Sequence, residues 1–481
     1  MNSGGCQYVE DPNFGYGCAL TDIFIFKDDD VVVFEGTHLE DKTNEDVSFV
    51  DVITSVVTHI PKEIITEFPN VKLLIIQNSE IAEFSKGDFE NCGKLKLISL
   101  GKNLLQSVPA RAFSSCSKLE TLLLILNAIT DIDDAAFEGL EDLKDLHLSR
   151  NQLDKIHTSA FKTLINLVAL RLDKNFISVI PEAAFDSLTK IENLCLSHNR
   201  ISDLPTAVFV QNKALKVLEF AKNRLGNIDP SILQPLENLE ILDISHNHIE
   251  ELDESTFLSL PNLWLLKICS NEIKEIPVNL FSSSINMKHL GLSRNWITEL
   301  HPDAFKSMSK LEVLNLAQNL LEDLPDDIFE ANVNIVVLHL EYNRLKSINP
   351  EILKPLEKLV QLQLSGNRIM QLSVDTFSTN GNLRMLYLNR NKLTIIYGDT
   401  FKPTPNLMTL NMAENQIYAM GGREMFSNFP RMSNMSMGGN KCIYMNIASH
   451  FILLPIDFLS LEPIFFKCLK NYDLINGKAV E

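Results

Sequence analysis

The skeleton L-x-x-L-x-L-x-x-N returns along almost the whole of this 481-residue chain. Its closing asparagine stands at Asn103 and then at every 24th residue as far as Asn415, with Asn78 and Asn440 flanking the series at steps of 25. A 24-residue segment cannot enclose a core of its own, so a fixed period this short describes coils that bury their apolar faces only against neighbouring coils. Alternation along an extended strand decides which residues face in. In the coil of Asn151, Leu146 and Leu148 point inward together with Leu143, and the residues between them lie on the outer face of the strand. The asparagine follows where the chain leaves the strand. Its amide both donates and accepts, so a stack of such asparagines can satisfy buried turns and tie coil to coil. Ten residues further on stands a phenylalanine, from Phe113 to Phe401, whose stacked rings would fill the far side of each coil. Leucine replaces it twice, as Leu233 in "DPSILQPLENL" and Leu353 in "NPEILKPLEKL", which reads as the trace of an older duplication.

Length and composition follow this pattern. A solenoid grows by adding neighbours, so one elongated domain accounts for a chain that would otherwise divide into several. Apolar residues at 45% can supply a continuous core and exclude disorder as the main state. The 62 acids against 43 bases give a net charge of −19, which argues against nucleic acid as a partner and for a cationic or mixed protein surface.

The first residues show no basic segment followed by an apolar one, so no signal peptide is visible. Cys6 and Cys18 flank a turn-rich loop and are expected to close it and seal the open edge of the first coil. The acidic stretch from Asp28 to Asp46 reads as two cap strands with solvated turns rather than a metal site. The next segment fits an atypical first coil in which Ser55 replaces the asparagine and Val47, Val50 and Val52 face inward. That makes about 17 coils. Cys92 and Cys116 occupy equivalent places on adjacent coils, roughly 4.8 Å apart, within reach of a disulfide; two buried free thiols are the alternative. Cys195 and Cys269 read as strand residues three coils apart, about 14 Å, too far to pair. Neither has a histidine and an acid at a spacing that suggests nucleophilic catalysis. After Asn440 the pattern stops, and Cys442 and Cys468 bracket an apolar segment. It fails as a membrane span, because His450, Pro455, Asp457, Glu462 and Pro463 interrupt it. The expected organisation is therefore an N-terminal cap over residues 1–46, a solenoid over 47–440 and a C-terminal cap over 441–481. Three cysteine pairs point to an oxidising compartment, and Asn434 opens one glycosylation acceptor, within the last strand.

The repeat as a whole resembles the typical 24-residue subclass of extracellular leucine-rich repeat proteins, the kind found in Toll-type receptor ectodomains and in insect secreted immune and adhesion proteins. The phrase "VTHIPKEIITEFPN" and the two-cysteine N-terminal cap are most like the insect members; the usual four-cysteine C-terminal flank is reduced to Cys442 and Cys468. The resemblance implies an α/β-type horseshoe with a parallel β-sheet on its concave face, disulfide-closed caps, secretion, and recognition of a protein ligand, with innate immunity as one setting.

Function in such a fold belongs to the outward strand positions, where side chains are free to vary. Four residues before each asparagine, from Leu74 to Ser436, lies a mixed polar stripe with no repeating chemistry. Trp264 stands out beside Lys267, either as an interface anchor or as a ring packed on its neighbours. The residue before the asparagine is basic in five consecutive coils, Arg150, Lys174, His198, Lys222 and His246, and the residue after it is Arg200, Arg224 and His248 in three of them. This is either a solvent-facing turn that accepts long polar side chains or a docking rim whose affinity for an acidic partner rises below about pH 6.5. No ligand completes a metal site at His246 and His248. Phosphate loops, nucleophile elbows and H-E-x-x-H are missing from the sequence, so no cofactor and no catalysis are expected. The competing role is adhesion by self-association, with a homodimer as its form.

Overall fold

The computed structural model describes residues 2–21, 23–25, 32–53, 55–421, 425, 428–443, 446–448 and 462–476. The chain is a parallel-sheet solenoid of about 16 turns that divides into two compact units, Met1–Asp243 and Ile244–Glu481.

In the first unit one short strand per coil runs from Phe49–Val52 to Ile241–Asp243, and neighbouring strands pair in register at the 24-residue step, as in Asp145↔Ala169, Leu146↔Leu170 and His147↔Arg171. Leu143, Leu146 and Leu148 are fully buried, while Asp145 and His147 face out. Past the strand the coils stay joined through their turns, where the Leu148 and Arg150 amides donate to the carbonyls of Arg171 and Asp173.

The asparagine column works in both directions. The Asn151 amide nitrogen donates to Leu124 O and to Leu148 O, both at 3.0 Å, and its oxygen accepts from the Ile129 amide at 3.1 Å. One side chain thus closes its own turn and two groups of the preceding coil, the arrangement a buried turn requires. The residue before the asparagine adopts the left-handed conformation, with φ of 57° at Arg150 and Lys174 and 58° at His198 and Lys222. That backbone costs on the order of 1 kcal/mol at each non-glycine site, and the asparagine's hydrogen bonds offset it.

The start of the series differs by one residue from the sequence reading. Leu73 pairs with Leu97, so the residue one period before Asn103 is Ser79, and Asn78 takes the left-handed position with φ of 57°. The register therefore continues at 24 residues, and Leu74 is buried while Ile75 faces out. One period earlier stands Ser55. Its hydroxyl donates to Ile53 O and accepts from the Ile23 amide, the same two-way role with a shorter side chain.

An antiparallel hairpin, Asn2–Asp11 with Gly15–Thr21, carries the Cys6–Cys18 disulfide. Its second strand pairs in parallel with Phe49–Val52 and covers the open edge of the sheet. A Cβ at Gly17 would overlap the Phe49 ring, so glycine there lets the two strands lie close. The acidic stretch supplies one strand, Val32–Glu35, and the short 3-10 turn Asn44–Asp46; residues 26–31 lie outside the described residues. Among the described residues it is the hairpin that pairs with the first coil's strand. Cys92 and Cys116 are bonded across adjacent coils, with Cα atoms 4.7 Å apart.

On the far side of the coils the rings of Phe137, Phe161, Phe185 and Phe209 stack at 6.1 to 6.5 Å with interplanar angles of 8 to 14°. Leu233 leaves the column because its coil turns into the short helix Pro230–Leu233, capped by Asp229 with proline in the first turn. The second unit repeats the device: Phe257 stacks on Phe281, and Leu353 ends the helix Pro350–Leu353 under an Asn349 cap. Its strands run from Leu265–Lys267 to Asn434–Ser436, where the pairing Leu410↔Met435 accommodates one inserted residue before Asn440.

At the end of the second unit Asn446–Ala448 pairs antiparallel with Asn434–Ser436, and the Cys442–Cys468 disulfide ties in the helix Glu462–Ile475. His450, Pro455 and Asp457 lie outside the described residues. Among those described, no helix is long and apolar enough to cross a membrane.

Candidate functional site

Each three-residue strand of the coils buries its middle residue, almost always leucine, and directs its two flanking residues to the sheet face. In the first unit the second outward position reads His147, Arg171, Cys195, Glu219 and Asp243 on successive strands, held in register by the ladder beneath them. The His147 imidazole is held below its usual range, first by burial and then by the Arg171 guanidinium, with Asp145 and Asp173 acting the other way. Cys195 is pushed up to about 12, mainly by burial and next by its hydrogen bond to Glu219. Register therefore places an acid beside this cysteine, where the sequence spacing had shown none, and that acid suppresses the thiolate instead of activating it. The patch offers alternating charge and hydrogen-bonding groups, a surface for non-covalent recognition.

The second free cysteine, Cys269, follows its strand and is not part of it, contrary to the sequence reading. A Cβ at Gly291 would stand 2.8 Å from its sulfur, so the thiol fills space that the glycine leaves open. In the second unit the same outward position gives Lys267, Gly291, Asn315, His339, Gln363 and Tyr387. Trp264 directly precedes the strand Leu265–Lys267, and its carbonyl accepts from the amides of Lys288 and His289 of the next coil. It is half-buried, with its ring edge-on to His289 at 5.8 Å. The more open tryptophan is Trp296, 45% exposed, directly after Asn295, with the Lys274 ammonium 5.9 Å from its ring. Sequence reading passed it over because it lies off the strand.

The basic turn residues are divided between the units. Arg150, Lys174, His198 and Lys222 belong to the first and His246 to the second, all in the left-handed turn position. Leu126, Ser270, Gln318 and Glu414 hold that same conformation in other coils, so the geometry does not select for basic charge. Arg200 lies 4.4 Å over the Phe176 ring, Arg224 is exposed, and His248 Nδ1 is 3.0 Å from Glu272 Oε1. Among the described residues no group of histidine, cysteine and carboxylate side chains could hold a metal ion. Asn434 is exposed on its strand.

Among solved structures, the Toll chain of the Drosophila Toll–Spatzle complex superposes with a TM-score of 0.71 at 20% identity, over 86% of this chain and 57% of Toll. A leucine-rich repeat protein of Leptospira interrogans gives 0.69 at 22% identity, over 88% of this chain and 95% of its own. The ectodomain of a plant membrane receptor kinase from Arabidopsis thaliana, in complex with Casparian strip integrity factor 2, gives 0.64 at 21% identity, over 82% and 50%. At these identities the likeness is one of fold, and this chain spans little more than half of Toll. No curated protein matches the sequence. The family profile described as leucine rich repeat matches residues 69–127, 117–173, 142–201, 165–225, 213–268, 261–321, 309–369 and 362–417, and with most of its length so covered the chain belongs to the leucine-rich repeat family.

Proposed function

We propose that this chain is an extracellular protein-binding module that recognises its ligand with the outward side chains of its parallel sheet, in innate immunity or cell-surface recognition. One observation carries the reading. The inward leucines, the asparagine and the phenylalanine repeat, whereas the outward strand positions, His147, Arg171, Cys195, Glu219 and Asp243 among them, carry no repeated chemistry on a backbone that pairs in the same register coil after coil. A fold that holds its frame constant and varies one face is suited to specific recognition. Disulfide-bonded cysteines at both ends and between coils suit an oxidising compartment. Toll with Spatzle and the plant receptor with its factor show the same fold holding protein ligands. The net charge of −19 favours protein over nucleic acid as the partner here.

The test is affinity capture from extracellular fluid and solubilised membranes with the purified, oxidised protein. Beside it run Arg171→Glu with Glu219→Lys on the first unit's sheet face, Lys267→Glu with Tyr387→Ala on the second's, and Arg200→Glu with Arg224→Glu on the turns. A partner lost only by a sheet-face variant supports the reading. One lost only by the turn variant moves the site to the basic turns, one held by all three removes the sheet face, and capture of the protein's own copies alone gives the lead to adhesion.

A further inference from the structure

The sheet face of the first unit changes character along its length. From the strand Asp145–His147 onward its outward positions carry charge, whereas the strands Leu73–Ile76, Leu97–Ser99 and Thr121–Leu123 turn Leu73, Ile75, Leu97 and Leu123 outward, each half-exposed. Register sets Leu73 beside Leu97 and brings Ile75 and Leu123 to either side of Ser99. Ile53 and Ile125 extend the patch just past their strands. Ile53 is 39% exposed, and Ile125 lies over Gly101, where a Cβ would stand 3.1 Å from its side chain. One coil on, the places of Leu123, Ile125 and Leu126 are held by His147, Ser149 and Arg150, so the fold itself does not demand aliphatic residues there. Aliphatic side chains on the open face of a sheet mark a surface that binds.

Among the described residues, Asp51 is the one ionisable side chain at these outward positions. It stands between Ala19 of the hairpin and Ile75 of the next strand, beside a cavity of about 380 Å³ that it lines together with Ile53, Val56, Ile75 and Gln77. It makes no ion pair and no side-chain hydrogen bond among the described residues, and burial alone pushes its carboxyl above the usual range. Lys72 and Lys102, at the two edges of the neighbouring coils, leave it uncompensated. A carboxylate half-buried among aliphatic side chains is costly until a cation reaches it.

We propose that this end of the sheet face receives an aliphatic segment of the protein ligand bearing one lysine or arginine, its apolar side chains on Leu73, Ile75, Leu97 and Leu123 and its cationic group at Asp51. The proposal rests on the reading of the chain as a protein-binding module. The cavity selects this occupant: its aliphatic walls match the methylene stem of a long basic side chain, and Asp51 meets the charge at the tip. The net charge of −19 favours the approach of a cationic segment as well. A second copy of the chain fits less well, because a two-fold pair sets this face against itself and brings no cation to Asp51.

Binding of fluorescein-labelled peptides to the full chain, measured by anisotropy, tests this. The probe alternates leucine and serine and carries one central lysine; its comparison peptides hold norleucine or glutamate in place of that lysine. The lysine peptide is expected to bind at least about tenfold more tightly than the norleucine peptide, and the glutamate peptide not to bind. Asp51→Asn should remove the preference for lysine and leave the norleucine peptide unchanged, whereas Ile75→Ser should weaken both. Both altered side chains face out, and an unaltered melting curve would confirm that the variants are folded. Equal binding of the lysine peptide and either comparison peptide, a preference for lysine that survives Asp51→Asn, no binding of the lysine peptide, or a dimer in sedimentation that Ile75→Ser dissociates would each overturn the proposal. The capture experiment uses none of these probes and alters none of these residues, so it decides the sheet-face reading whichever way the peptides behave.

Discussion

The asparagine column makes a quantitative claim about where the solenoid draws its stability, and Asn151→Ala tests it. The substitution removes bonds at 3.0, 3.0 and 3.1 Å from a residue 5% exposed; Leu124 O and Leu148 O keep the amides of Asn127 and Asn175 as second donors, and the Ile129 amide is left without a partner. At about 1 kcal/mol net per bond, with about a further 1 kcal/mol for the buried Ile129 amide left without a partner, the loss should be roughly 3–4 kcal/mol. Asn127 makes the same three bonds, to Leu100 O, Leu124 O and the Leu105 amide, but is half-buried. Water can reach those groups after Asn127→Ala, so about 1–2 kcal/mol is expected there. Coils contact only their neighbours, which makes global unfolding a poor ruler; hydrogen exchange of the amides in the coils around residues 127 and 151 reads the local loss directly. Asn151→Asp sharpens the test. It turns an oxygen toward two carbonyls, so the folded form requires the protonated acid, and stability should recover as pH falls toward the ordinary carboxylate range, with the recovery complete below it. Equal losses at the two positions, or less than about 1 kcal/mol at 151, would show that packing and not buried hydrogen bonding holds the turn.

Three further outcomes are expected. Hydrogen bonds from Lys144 and then Lys96 hold Glu120 at about 2, below its ordinary 4.5, so its contribution is complete above 4.5 and is lost as pH falls toward 2. Because these side chains are largely solvated, the difference in unfolding free energy between wild type and Glu120→Gln in urea should reach only about 1 kcal/mol and close in acid; a pH-independent difference would contradict the assignment. Cys92→Ser with Cys116→Ser opens a loop of sequence separation 24, which chain entropy values at about 3 kcal/mol, visible as a lower melting temperature that reductant reproduces in the wild type. His147 titrates below the usual 6.5 in the folded chain, so the unfolded chain takes up its proton first and stability should decline as pH falls through 6.5. His147→Gln should flatten that slope in a denaturant series, and an unchanged slope would assign it to another group.

Much of the frame was legible because the repeat states it many times over. Leu143, Leu146, Leu148, the phenylalanine stack and the two-way asparagine follow from period and alternation alone, and Ser55 could be placed from register although it is not an asparagine. What failed was local. Asn78 was read into the column because it is an asparagine, whereas strand pairing puts Ser79 there and leaves Asn78 in the left-handed turn, a conformation asparagine tolerates well. A polar ladder at the leucine position three after the phenylalanine also escaped notice: buried Asn212, Asn332 and Asn380 each donate to two carbonyls of the preceding coil. Their spacing carries the signal, but asparagine at a leucine position reads as an exception until the facing carbonyls are seen.

The cations show why the site was harder to read than the fold. Arg150, Lys174, His198 and Lys222 drew attention as a run of basic residues, yet they share a backbone conformation that leucine, serine, glutamine and glutamate adopt elsewhere in the column. The lysines at the first unit's sheet edge, where the chain enters its strands, make no run in the sequence. Lys72, Lys94, Lys96 and Lys118 converge only when the chain is folded at its period, and only their partners separate the compensated ones from the rest. In a solenoid, then, charge has to be read down columns and against its neighbours one coil away.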